Sequence, residues 1–169
     1  LALLAVAATG CAPLAVDLDC LQERLDQATP PLQPSWHVGQ TFLSLRPNLQ
    51  AIEVMLALYG ANAISAGSTM TLRLRESPNS PRDLVAVALD LQGRKHNDLL
   101  RFEFPPLHDS RGRSYYFQLE GTPGSRVGVW YATFEAYADG QLYIQDTVQE
   151  GDLYFKTYSA YDLPLVADD

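Results

Sequence analysis

The sequence predicts an all-β fold, two antiparallel sheets packed as a jelly-roll sandwich of eight or nine strands. Three short runs carry the prediction. Met70–Leu72–Leu74, Leu100–Phe102–Phe104 and Tyr115–Phe117–Leu119 each place apolar residues two apart, with Arg73, Arg101 and Gln118 on the opposite side. That is the period of a strand buried on one face only. Turn-forming clusters separate such runs throughout. The gaps leave no room for the helical crossovers of ten or more residues that a doubly wound parallel sheet requires.

Strands are expected over residues 39–45, 51–58, 69–76, 84–91, 99–104, 114–119, 127–135, 141–148 and 152–157. Pro47–Asn48, Gly60–Ala61–Asn62, Ser77–Pro78–Asn79–Ser80–Pro81, Pro105–Pro106, Gly121–Thr122–Pro123–Gly124 and Asp139–Gly140 lie between them. Proline fixes φ, glycine accepts positive φ, and Asn or Asp bonds to nearby backbone. Asp139–Gly140 carries the clearest hairpin signal. Ile52, Val54, Leu56 and Leu58 read as a strand facing the core, with a helix over the same run the lesser alternative.

The N-terminal part differs. Residues 1–10 are nearly all apolar and uncharged, too short at about 1.5 Å per residue to cross a bilayer as a helix. Ala8–Thr9–Gly10–Cys11 resembles a bacterial lipoprotein signal, which would place a lipid on Cys11. Ala5–Val6–Ala7 also resembles an ordinary cleavage site, with Cys11 pairing to Cys20 after export, and the same apolar run fits the remnant of a membrane helix or an internal strand or core segment. Residues 1–11 are thus read as a signal remnant, 12–35 as a tether or strap, 36–158 as the sandwich and 159–169 as a tail. Within the strap, residues 17–27 read as a short helical turn around Leu21 and Leu25, stopped by Pro30–Pro31. An exported address follows: cell surface, membrane-anchored or secreted.

With 169 residues, 47% of them hydrophobic, the chain is long enough for one domain with its own core. A net charge of −8 and no basic stripe exclude nucleic acid as a partner; neutral ligands remain compatible.

No reaction centre emerges. His37, His96 and His108 are isolated, without metal-ligand spacing. His108–Asp109–Ser110 contains the residue types of a hydrolase triad but lies in a loop after two prolines, where local turn bonding accounts for it. Glu53, Asp90, Glu103 and Glu135 supply carboxylates without singling out a catalytic pair. No cofactor is implied. Calcium is the one ion considered, with Asn62, Asn79, Asp83, Asn97, Asp98 and Asp109 as loop oxygen donors.

Aromatics give the better functional lead. Alternation puts Phe102, Phe104, Tyr115 and Phe117 inward, and directs Tyr116, Trp130 and either Tyr143 or Tyr154 to another face, while Trp36 anchors the strap. An aromatic platform stacks on a sugar's apolar face while neighbouring polar groups bond its hydroxyls. Trp130, Tyr116, Tyr143 and Tyr154 are therefore the candidate ligand-binding residues.

Val38–Gly39–Gln40–Thr41–Phe42, Asn48–Leu49–Gln50–Ala51–Ile52–Glu53–Val54, Leu74–Arg75–Glu76–Ser77, Phe102–Glu103–Phe104–Pro105–Pro106, Asp109–Ser110, Tyr115–Tyr116–Phe117 and Gly151–Asp152–Leu153 carry a resemblance. Together they resemble an extracellular jelly-roll domain of bacterial surface proteins and multi-spanning membrane glycosyltransferases. The resemblance implies a fold similar to galactose-binding-like and carbohydrate-binding modules. It implies no catalytic residue and transfers no binding residue, because loops set ligand choice in such folds. The lipoprotein-like Cys11 departs from the membrane-enzyme context. The expectation is a non-catalytic cell-surface accessory module that binds glycan or envelope polysaccharide. The alternatives are a protein-interaction or structural module of the envelope and, third, a glycoside-active enzyme.

Overall fold

The computed structural model describes residues 15–161, and these form two antiparallel sheets packed face to face with no helix. The chain order is β1 (Ala15–Gln22), β2 (Gln27–Ala28), β3 (Val38–Leu43), β4 (Leu49–Leu58), β5 (Thr69–Arg75), β6 (Val85–Asp90), β7 (Leu99–Leu107), β8 (Ser114–Gly121), β9 (Val127–Ala132), β10 (Leu142–Ile144), β11 (Thr147–Gln149), β12 (Asp152–Leu153) and β13 (Phe155–Tyr161). The first sheet is built on β4, which pairs with β13 and β7 along most of its length and with β9 over its last residues. β1 adds to β13, while β12 and β2 add to β9. The second sheet runs β11-β10-β3-β8-β5-β6.

Burial follows the predicted alternation. Met70, Leu72 and Leu74 are fully buried, as are Leu100, Phe102, Phe117 and Leu119. Ile52, Val54 and Leu56 face the same core, so residues 52–58 are a strand as read. At the centre Phe155 meets Phe42 and Phe117 at ring-centroid separations of 6.0 and 5.7 Å, and Tyr137 at 5.2 Å.

Two buried carboxylates tie the sheets together. Asp152 on β12 accepts from Gln40 Nε2 of β3 at 2.8 Å and from the backbone N–H groups of Ala136 and Tyr137 at 2.8 and 2.9 Å. Gln40 Oε1 in turn accepts the Leu153 N–H at 3.0 Å. Asp19 on β1 accepts from Ser44 Oγ, the Leu45 N–H and Thr157 Oγ1 at 3.0, 3.0 and 3.2 Å. Asp152 is thus bonded to β3 and the β9–β10 loop, and Asp19 to the residues after β3 and to β13, which offsets the large cost of burying each charge.

Four expectations change. Residues 17–27 do not form a helical turn: 15–22 are a strand of the first sheet, so the sandwich takes in part of the expected strap, and Leu32 beyond it is fully buried. At the other end, 159–161 complete β13 rather than beginning a tail. The 141–148 run folds back on itself, its hairpin turn formed by Gln145 (φ 47°) and Asp146 (φ 65°). Asp139–Gly140 is instead a loop turn, where the absent Cβ of Gly140 lets the chain lie against the Thr41 carbonyl. Adding β1 and β2 and dividing the last two expected runs gives thirteen strands among the described residues.

Residues 1–14 and 162–169 lie outside the described residues, and with them Cys11 and the signal-like segment. Among the described residues, no helix is long and apolar enough to cross a membrane.

Candidate functional site

Alternation assigns the four candidate aromatics to two opposite outer faces. Trp130 lies between core-packed Val129 and Tyr131, and Tyr154 between core residues Leu153 and Phe155, so both belong to the outer face of the first sheet. Tyr116 lies between Tyr115 and Phe117, and Tyr143 between Leu142 and Ile144, on the outer face of the second. The four do not converge.

They also differ in access. Tyr154 is 5% exposed and Tyr116 fully buried, so neither offers the open ring surface expected of it; Trp130 and Tyr143 are half-buried. Trp130 has a structural occupation. Its Nε1–H donates to Asn97 Oδ1 at 2.8 Å, Asn97 holds a left-handed turn (φ 71°), and the His96 ring meets the indole edge-on at 5.8 Å. His96 Nδ1 accepts the Leu58 N–H at 3.0 Å, so the cluster pins the β6–β7 loop to β4 and β9.

Tyr143 stands in a different setting. Its ring packs edge-to-face on Tyr116 at 5.4 Å. Tyr116 lies where a side chain on residue 39 would stand, so only glycine is accommodated beneath it. Burial pushes the Tyr116 phenol pKa well up, and its hydroxyl meets no hydrogen-bond partner among the described residues. His37, which bonds Asp146 of the neighbouring turn through Nε2 at 3.1 Å, has a second such atom in Nδ1.

Strand register extends this face into a row. Tyr143 pairs with Gly39, Gly39 with Gln118, Gln118 with Arg73 and Arg73 with Ala86, so one line of outward positions crosses β10, β3, β8, β5 and β6. Directly paired residues share a face, which fixes the neighbours. Beyond the aromatic end lies a charge network. Arg73 Nε donates to Glu120 Oε1 at 3.0 Å and its Nη1 to Asp83 Oδ2 at 2.8 Å. Arg75 Nε donates to Asp83 Oδ1 at 2.6 Å, with its Nη1 3.4 Å from Gln118 Oε1.

Burial alone would raise the Asp83 carboxyl pKa; hydrogen bonds from Arg75 and Arg73, with their charges, outweigh it and hold the group below the usual carboxylate value. A folded-state pKa below the unfolded one gives stability that is fully present above the unfolded value and is lost as pH falls through the folded one. Asp83→Asn is therefore expected to cost about 1 kcal/mol or less at neutral pH, since the network is part-exposed. That difference from wild type shrinks as pH drops below 3.8, which denaturant titrations across pH will measure.

The remaining candidates scatter. His108 Nδ1 lies 2.8 Å from Asn48 Oδ1, whereas Ser110 Oγ is buried, accepting the Leu49 N–H and donating to the Arg46 carbonyl. The three consecutive residues therefore share no reaction geometry. Cys20 is a buried thiol against Thr157 Oγ1 at 3.1 Å, and burial pushes its pKa up to about 11, the character of a packing residue. Glu53 is buried beneath Tyr158, whose hydroxyl lies 3.2 Å from its Oε1, while Arg101 stacks on the Tyr158 ring at 3.9 Å. Of the loop oxygen donors, Asp83 serves the arginines, Asn97 serves Trp130, and Asp98 caps the Lys95 N–H. Among the described residues no three His, Cys, Asp or Glu side chains gather as a metal site.

Alternation in the sequence indicates that Arg73 and Gln118 face outward. It gives no sign that they are neighbours, because that depends on the β5–β8 register. Comparison of the chain with protein-family models finds no match, and a search of the curated proteins finds none either.

Proposed function

We propose that this is a non-catalytic, exported accessory module that recognises glycan through the outer face of its six-stranded sheet. One observation carries the reading. Tyr143 and Arg73 stand in register on a single sheet face, with Gln118 buried between them at 6% exposure, and Arg75, Asp83 and Glu120 join the Arg73 end. An aromatic ring beside fixed planar donors and acceptors is the chemistry that holds a sugar, whose ring has an apolar face and whose rim carries hydroxyls. All but Asp83 stand on strands, and its two arginine partners hold that carboxylate, so little ordering is needed on binding.

Binding of the purified protein to a polysaccharide panel tests this. Tyr143→Ala is expected to weaken binding about tenfold or more, a loss of about 1.4 kcal/mol. Tyr143→Phe retains the ring and most of the affinity, and Trp130→Ala on the opposite face leaves it unchanged. Equal loss from Trp130→Ala and none from Tyr143→Ala would remove this face from consideration.

A second reading has its own support. Edge strand β1 exposes Val16, Leu18 and Leu21 at 41, 37 and 40%. An apolar edge of this kind suits docking to another envelope protein. A negative panel together with a defined complex lost in Leu18→Lys would favour it.

A further inference from the structure

We infer that the ligand of this face is an uncharged oligosaccharide laid across the strands, and not a uronate or sulfated chain; the inference rests on the glycan reading above. It follows from how the charges are spent. Arg73 is the arginine of the row and Arg75 lies two residues along on the same face of β5, and both are already neutralised: Arg73 by Asp83 and Glu120, Arg75 by Asp83. Two cations and two carboxylates leave no net charge in the network. Its side chains are only 18–35% exposed, so a mobile anion does not readily displace an internal carboxylate held at 2.6–3.0 Å. The surroundings are mostly acidic, with exposed Arg82 beside Asp83 the exception. Asp146 in the turn beside Tyr143 is 70% exposed, Asp90 pairs with Thr69 farther along the sheet, and the whole chain carries −8. His37 is the remaining titratable group at the hairpin, and it faces Asp146.

What the network offers instead is unused hydrogen-bonding capacity of both kinds. A guanidinium has five N–H donors and a carboxylate about four acceptor sites, more than these contacts consume. Hydroxyls, each donor and acceptor, match such a surface without disturbing its charges. The row from β10 to β5 covers three strand spacings, roughly 14 Å. Contacts at both ends therefore require several linked sugars, and a monosaccharide would reach only one.

The test compares wild-type protein on neutral polysaccharides (β-glucan, mannan, xylan) and anionic ones (polygalacturonate, alginate, dextran sulfate). Each is run at about 0.1 M and about 1 M salt, where the Debye length falls from about 10 to about 3 Å. The expected result is a neutral polymer bound with unchanged affinity at both salts, its monosaccharide bound at least about tenfold more weakly, and no anionic binding. The double substitution Asp83→Asn with Glu120→Gln frees both guanidiniums and is expected to gain salt-sensitive uronate binding. Salt-sensitive binding of an anionic chain by the wild type, lost in Tyr143→Ala, would overturn the neutral assignment and leave the glycan reading standing. Absence of binding to either class would overturn the glycan reading itself.

Discussion

Phe155→Ala is expected to destabilise the fold by about 3–5 kcal/mol, the range for an aromatic truncated in a packed core. Phe155 is fully buried at the first residue of β13 and touches aromatic rings from β3, β8 and the β9–β10 loop. Phe42 and Phe117 belong to the second sheet, so this one ring joins the two layers. Removing it deletes apolar burial and leaves a cavity whose rigid aromatic lining collapses poorly. Against a total stability of about 5–15 kcal/mol for a domain, the loss is about a fifth or more. Phe155→Leu, which keeps most of the volume, should cost well under half as much. Denaturant titration reads both, and a loss below about 1 kcal/mol for the alanine variant would show that the sandwich is not held at this point.

Asp152→Ala ranks second, at about 3 kcal/mol. The substitution strands the Gln40 amide and the Ala136 and Tyr137 N–H groups, all of which now bond the carboxylate. Abandoned buried donors cost about 1–3 kcal/mol each, moderated here because the two backbone groups are only part-buried. Gln40 holds the Leu153 N–H with its other amide atom, so the effect extends to β12. A double-mutant cycle with Gln40→Ala should therefore return a coupling above about 0.5 kcal/mol. Additive effects would mean that the two side chains act independently.

The contrast between β1 and β5 explains which parts of the fold were legible. In β5 the apolar residues point inward and the polar ones outward, so alternation alone finds the strand. β1 inverts this: Val16 and Leu18 are exposed, and Asp19 is buried on donors from the two residues that follow β3 and from β13. A bulge between Leu18 and Leu21 then shifts the register. Leu21 and Leu25, four apart, consequently imitate a helical face. The β10–β11 turn was hidden for a related reason. Gln145 occupies positive φ without being a customary turn residue, whereas the better-looking Asp139–Gly140 is occupied with packing against Thr41.

The candidate site divides in the same way. Tyr143 was accessible to sequence reasoning because outward alternation is a local property. The partners of Arg73 were not: Gln118 and Glu120 are more than 40 residues away along the chain and meet it only through strand pairing. Tyr116 shows the opposite failure. Its outward direction is right, but Gly39 on the neighbouring strand, diagonal to it, leaves room for the ring to lie over the sheet, where Tyr143 packs against it.

Backbone and side-chain chemical-shift mapping, with the isotope-labelled protein titrated by a neutral oligosaccharide that the panel identifies, tests the central claim most directly. Shifts concentrated at Tyr143, Arg73 and Arg75, with Trp130 and Tyr158 unmoved, are the expected result. Shifts centred on Trp130, Tyr158 and the edge of β1 would place recognition on the other sheet and contradict it.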